Sequence, residues 1–80
     1  MTDREILVGI AEVARQHLGF DGTLEPRTRL VEDLGLDSLK LLTLAVEVEN
    51  RFRICLDPED ETGIETVADL VTIVRKQLDA

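Results

Sequence analysis

Two capping boxes, one near each end of the chain, set the terms on which it can fold. Thr2-Asp3-Arg4-Glu5 and Thr66-Val67-Ala68-Asp69 each place a hydroxyl where it accepts from the amide three residues on, while the acid at that position reaches back. Behind the first box, Ile6, Ile10, Val13 and His17 recur at helical spacing, with Leu7, Ala14 and Leu18 alongside. Gly19 then tolerates the left-handed conformation that ends many helices. This spacing predicts a first helix from about Asp3 to Leu18. Behind the second box, Val67, Leu70, Val71, Val74 and Leu78 make one apolar face, and Arg75 and Lys76 sit near the negative end of the helix dipole.

From Phe20 to Leu36 no period is sustained, and Asp21-Gly22, Pro26 and Gly35 punctuate the segment. A loop this long in a small domain is usually functional or disordered. Phe20, Leu24, Leu30, Val31, Leu34 and Leu36 interrupt its polarity and predict that it is pinned to the core. A second helix starts at Asp37-Ser38, where Asp37 is a good N-cap, and runs to about Phe52. Arg53 stands where a terminal glycine is usual, and holding it left-handed would cost on the order of 1–2 kcal/mol. Asp57-Pro58-Glu59-Asp60-Glu61, closed by Gly63, reads as a short third helix with Asp57 as cap and Pro58 at its first position. The expected fold is all-α: a small four-helix bundle of three longer helices and one short third helix, with a long loop between helices one and two. It forms a single domain over residues 1–80. With two Phe and no Trp or Tyr the core must be aliphatic, and a chain of this size has little room for a deep cleft.

At about 100° per residue the apolar positions of the second helix fall into two arcs. Leu41, Leu44, Ala45, Val48 and Phe52 form the natural core face; Leu39, Leu42 and Val46 lie together elsewhere, beginning beside Ser38. A bundle this small cannot readily bury both. The second arc either packs under the long loop or stays exposed as a docking strip, because exposed apolar patches mark interaction sites.

Nine basic and seventeen acidic residues give a net charge of −8, which repels nucleic-acid backbones and anionic membranes and favours partners with a basic patch. Six acids and no basic residue lie between Asp57 and Asp69. The single cysteine, Cys55, cannot form an internal disulfide, the N-terminus has no apolar signal core, and no apolar run reaches the roughly 20 residues of a membrane span. A soluble, cytoplasmic, monomeric protein is expected. The initial Met and the single domain suggest a free-standing one.

Ser38 is the only serine. For an arbitrary Asp-Ser pair, capping alone is a sufficient account. Here Leu34-Gly35-Leu36-Asp37-Ser38-Leu39 resembles the phosphopantetheine attachment motif of carrier proteins. The resemblance to the acyl carrier protein family extends over almost the whole chain. It takes in the serine after a long loop, the Phe52 ending, the acidic Asp57-Pro58-Glu59-Asp60 stretch and the final Thr66-Val67-Ala68-Asp69-Leu70 segment.

That resemblance implies a covalent 4′-phosphopantetheine on Ser38, loaded from coenzyme A by a phosphopantetheinyl transferase, with Asp37 near the Mg²⁺ of the transferase complex. The arm's thiol would hold acyl groups as thioesters for acyl-loading and acyl-processing enzymes of fatty-acid, polyketide or related lipid biosynthesis. A phosphodiester at that helix N-terminus also suits the free amides and the dipole. The resemblance further implies that Leu39, Leu42 and Val46 contact partner enzymes, with Glu47 as another candidate on that face. Lys40 and Thr43 depart from the family, since acids are common at both places, and the departures hint at a specialised pathway.

Other chemistry finds little footing. His17 at a helix end is explained by the dipole, Cys55 between Ile54 and Leu56 is expected to face outward, and Asp57–Glu61 lacks the glycine and ligand spacing of a calcium loop. No catalytic triad assembles without His17 approaching Ser38, so no metal site and no intrinsic catalysis are expected. An aminoacyl or peptidyl carrier is the alternative within the class, and an unmodified helical adaptor the alternative outside it.

Overall fold

The computed structural model describes residues 1–57, 59 and 63–79, and among these the regular elements are three helices: α1 (Asp3–Leu18), α2 (Ser38–Phe52) and α3 (Val67–Leu78). The starts of all three, and the ends of α1 and α2, fall where the sequence pattern predicts them. The Thr2 hydroxyl accepts from the Glu5 amide at 3.2 Å while Glu5 Oε1 accepts from the Thr2 amide at 3.1 Å. Thr66 and Asp69 repeat the exchange at the head of α3. Gly19 closes α1 in the left-handed conformation, and Arg53 closes α2 at φ 56°, ψ 50°, the non-glycine exception that the sequence forces. The short third helix expected at Asp57–Gly63 falls largely outside the described residues, among which the helical elements are the three named.

α1 packs against both α2 and α3. Ile6, Ile10 and Val13 of α1 meet Leu44 and Val48 of α2 and Val67, Leu70 and Val74 of α3 in one aliphatic core. The long loop completes it, because Leu24, Leu30 and Leu36 are all buried while Phe20 and Leu34 pack at its edge. Val31 departs from that pattern and is 55% exposed.

The backbone explains why the loop lies where it does. The first amides of a helix lack intrahelical partners, and in α3 the loop supplies them. Val67 N–H donates to the Thr28 carbonyl at 2.9 Å and Ala68 N–H to the Pro26 carbonyl at 2.7 Å. Leu30 N–H donates in turn to the Glu65 carbonyl at 2.9 Å, and Arg29 and Thr66 form an isolated antiparallel bridge. The middle of the loop is thereby stitched to the start of α3. Its last part turns back through its own hydrogen bonds and delivers Asp37 and Ser38 to the head of α2.

Candidate functional site

The approach to Ser38 is built by a tight turn. Leu34 and Asp33 amides donate to the Arg29 carbonyl, and the Gly35 amide donates to the Val31 carbonyl at 3.0 Å. Asp33 Oδ2 accepts from the Arg29 amide at 2.8 Å, and the Arg29 guanidinium reaches Asp33 and Glu32. That amide, helped by the guanidinium, holds the Asp33 carboxyl below its ordinary range. Gly35 then adopts φ 69°, a left-handed conformation that a side chain would strain. It turns the chain so that Leu36 enters the core while Asp37 stays exposed.

Asp37 is extended at φ −89°, ψ −179°, and caps α2: its Oδ1 accepts from the Lys40 amide at 2.8 Å and its carbonyl from the Leu41 amide at 2.9 Å. Two amides of the first turn are thus occupied. Those of Ser38 and Leu39 point out of the helix end, where an anion is favoured by the open donors and the dipole. Ser38 itself is exposed.

Ser38 also stands at the edge of an apolar cavity of about 270 Å³. Leu30, Leu44 and Leu70, all buried, lie at its inner side, with Leu41, Leu42 and Ile64 around them. Among the described residues Ser38 is the one polar residue in the lining. A larger cavity of about 330 Å³ lies elsewhere, beside Leu7, Pro26 and Val71. It includes Asp3, already paired with Arg75 at 3.0 Å, and no serine or cysteine. Of the two, only the smaller is lined by Ser38.

The two arcs of α2 separate as the sequence pattern predicts. Leu44 and Val48 are buried, whereas Leu39 is 71%, Leu42 56% and Val46 43% exposed. Leu42 belongs to both features, since it lines the Ser38 cavity and contributes to the exposed stripe. Glu47 is placed on the flank of that stripe and is half-buried. Its Oε2 lies 3.6 Å from His17 Nδ1 on α1, and its Oε1 accepts from Asn50 Nδ2 at 3.4 Å. Sequence reasoning missed that pairing, since helix periodicity carries no signal for a contact between two helices. His17 therefore engages Glu47, and no hydrogen bond joins it to Ser38. Cys55 is exposed, as alternation implies. Among the described residues no group of three His, Cys, Asp or Glu side chains could hold a metal ion, and no helix is long and apolar enough to cross a membrane.

Comparison with known proteins follows the same lines. The family model for the phosphopantetheine attachment site matches residues 8–74. The meromycolate extension acyl carrier protein of Mycobacterium leprae (strain TN) is 35% identical over 77 residues, covering 95% of this chain and 67% of the relative. The acyl carrier protein of Myxococcus xanthus is 31% identical over 71 residues, covering 88% of this chain and 90% of the relative. Among solved structures, an acyl carrier protein described from Mycobacterium tuberculosis superposes with a TM-score of 0.84 at 35% identity, covering 89% of this chain and 96% of that one.

Proposed function

This chain belongs to the acyl carrier proteins, and from that premise we propose that Ser38 is the residue to which its 4′-phosphopantetheine arm is attached. When bound, the arm supplies a thiol that carries acyl groups as thioesters. The residues present suit such a group. An exposed hydroxyl at the first position of α2 is open to a transferase, and the unoccupied amides of Ser38 and Leu39 favour the phosphodiester that results. Asp37 spends one carboxylate oxygen on the Lys40 amide. The other is open to the Mg²⁺ that accompanies coenzyme A in the phosphopantetheinyl transferase complex.

The observation that carries this reading is the coincidence of that hydroxyl with the apolar cavity beside it. An acyl chain on a tether rooted at the cavity edge has leucine and isoleucine surface to cover it, at roughly 25 cal/mol per Å² removed from water. A charged aminoacyl group would gain nothing there, so the cavity favours the acyl carrier over the aminoacyl or peptidyl one. Leu39, Leu42 and Val46 serve as the docking strip for acyl-loading and acyl-processing enzymes of fatty-acid, polyketide or related biosynthesis, with Glu47 at its flank. The protein presents its cargo and leaves catalysis to those enzymes, as a monomer in the cytoplasm.

Intact-protein mass spectrometry tests the assignment after incubation with coenzyme A, Mg²⁺ and a broad-specificity transferase. Wild type should gain one phosphopantetheine and Ser38→Ala none. Modification of the alanine variant, or a wild type that stays bare, would remove Ser38 from the reading.

A further inference from the structure

The charges of α2 are arranged in a way that the net charge of −8 conceals. The helix has two carboxylates, and both are turned to partners inside the protein. Glu47 is held between His17 of α1 and Asn50. Glu49 Oε2 accepts the amide of Leu56 at 3.0 Å, satisfying the backbone of a residue whose side chain is buried. Of the two cations on the helix, Arg51 is bound to Glu12 of α1 at 2.7 Å. Lys40 is left: it is exposed, and it makes no ion pair among the described residues.

Helix geometry sets Lys40 beside the stripe. It heads the row that continues through Thr43 to Glu47, next to the row of Leu39, Leu42 and Val46. Thr43 in that row returns its hydroxyl to the Leu39 carbonyl at 3.0 Å. The side chains of a helix lean toward its N-terminus, which carries the Lys40 ammonium toward the Ser38 end. A partner approaching the exposed arc therefore meets apolar surface bordered by one uncommitted cation.

We infer that this face selects enzymes that set a carboxylate opposite Lys40 at the rim of an apolar groove receiving Leu39, Leu42 and Val46, an inference that rests on the docking role proposed for the stripe. Apolar contact alone gives adhesion with little discrimination, whereas a charge at the rim fixes register and rejects a like-charged partner. The field of the whole protein still draws basic surfaces toward it. Within that attraction Lys40 acts as a local filter. The carboxylates of α2 cannot offset it without giving up the His17 contact or the Leu56 amide.

The test uses the holo protein and the enzyme that acylates it, purified by that activity from the organism that makes both. Acylation kcat/KM is measured for wild type, Lys40→Glu, Lys40→Arg and Leu42→Glu across a range of salt. Lys40→Glu should lower kcat/KM by about tenfold, mainly through KM, with the difference shrinking as salt screens it, while Lys40→Arg stays near wild type. An acid in the first turn suits the helix dipole, so the loss in Lys40→Glu is not a folding defect, and far-UV circular dichroism checks that point. Unchanged or faster acylation of Lys40→Glu overturns the inference, because it places a basic or neutral group opposite. Lys40→Arg as slow as Lys40→Glu also overturns it, because shape would then matter and charge would not. Leu42→Glu reads the stripe separately: acylation at the wild-type rate by a folded Leu42→Glu protein sinks the docking role itself, whatever Lys40 does.

Discussion

Replacing Arg53 by glycine should stabilise this protein, although it removes a side chain and adds nothing in its place. Arg53 ends α2 at φ 56°, ψ 50°, where an L-residue pays for its Cβ by on the order of 1–2 kcal/mol. Glycine relieves that strain but brings more freedom to the unfolded chain, which costs about 0.5–1 kcal/mol. Taking the middle of each range, the net gain is about 0.75 kcal/mol. In a domain of this size that is a rise of roughly 3–6 °C in Tm. The side chain of Arg53 is exposed and joins no ion pair among the described residues. The bonds that close the helix, Arg53 N–H and Ile54 N–H to the Glu49 carbonyl, are made by backbone and survive the change. Arg53→Ala is the control. It loses the same cation near the helix C-terminus but keeps the Cβ, so the dipole contribution cancels when the two variants are compared. Urea unfolding followed by far-UV circular dichroism should rank glycine highest, with wild type above alanine by the dipole contribution of an exposed cation, about 0.3 kcal/mol. A glycine variant no more stable than the alanine variant would refute the claim that backbone strain is stored at this position.

Two further outcomes follow from close contacts and from caps. Gly9→Ala gains about 1 kcal/mol of helix propensity, but its Cβ would stand 2.5 Å from Phe52 Cζ. Overpacking of about 1–3 kcal/mol should win, and a thermal melt should show a loss that Phe52→Leu largely recovers in the double variant; additive effects would deny the contact. The Asp69 carboxyl is held below its ordinary range first by the Glu65 amide and then by the Thr66 amide, as Glu5 is by Thr2. A carboxyl whose folded pKa is depressed contributes fully above its unfolded value, near 4, and loses that contribution as pH falls through the folded one. Urea unfolding from pH 6 downward should therefore show an acid limb that is shallower in Asp69→Asn, and an unchanged slope would mean that the cap does not carry the dependence.

Much of this architecture is legible in the sequence because its punctuation is local. The capping boxes at Thr2 and Thr66, the Asp37 cap and the glycine at position 19 each act within one turn, and each helix begins, and α1 ends, where they indicate. The exposed arc of α2 is legible for a related reason: two apolar arcs on one helix cannot both be satisfied in so small a bundle, and Leu39, Leu42 and Val46 are the ones left outside. Contacts between elements leave no such trace. Val31 reads as one more loop residue tied to the core, yet the turn that delivers Gly35 leaves it outside. The pairing of His17 with Glu47, of Glu12 with Arg51 and of Asp3 with Arg75 depends on how the helices pack.

The same distinction governs how the site is held. Asp37 and Ser38 are local, but their position in space depends on where the loop before them is anchored. That anchor is the pair of α3 amides, Val67 and Ala68, bonded to the Thr28 and Pro26 carbonyls. The capping box at Thr66 thus works at two ranges. It starts α3, and it fixes the backbone against which Leu30 lies, so that Leu30 N–H meets the Glu65 carbonyl and the Leu30 side chain reaches the Ser38 cavity. Because α3 contributes Leu70 to the same lining, the loop and α3 form one wall opposite α2. The shape of the cavity is then set by hydrogen bonds well away from the serine, while the placement of the serine at the helix tip is set by the turn that carries it. Under the role proposed for Ser38, Thr66→Ala, which removes the cap on the Asp69 amide, should consequently alter how an acyl chain is sheltered while intact-protein mass spectrometry still finds one phosphopantetheine per chain.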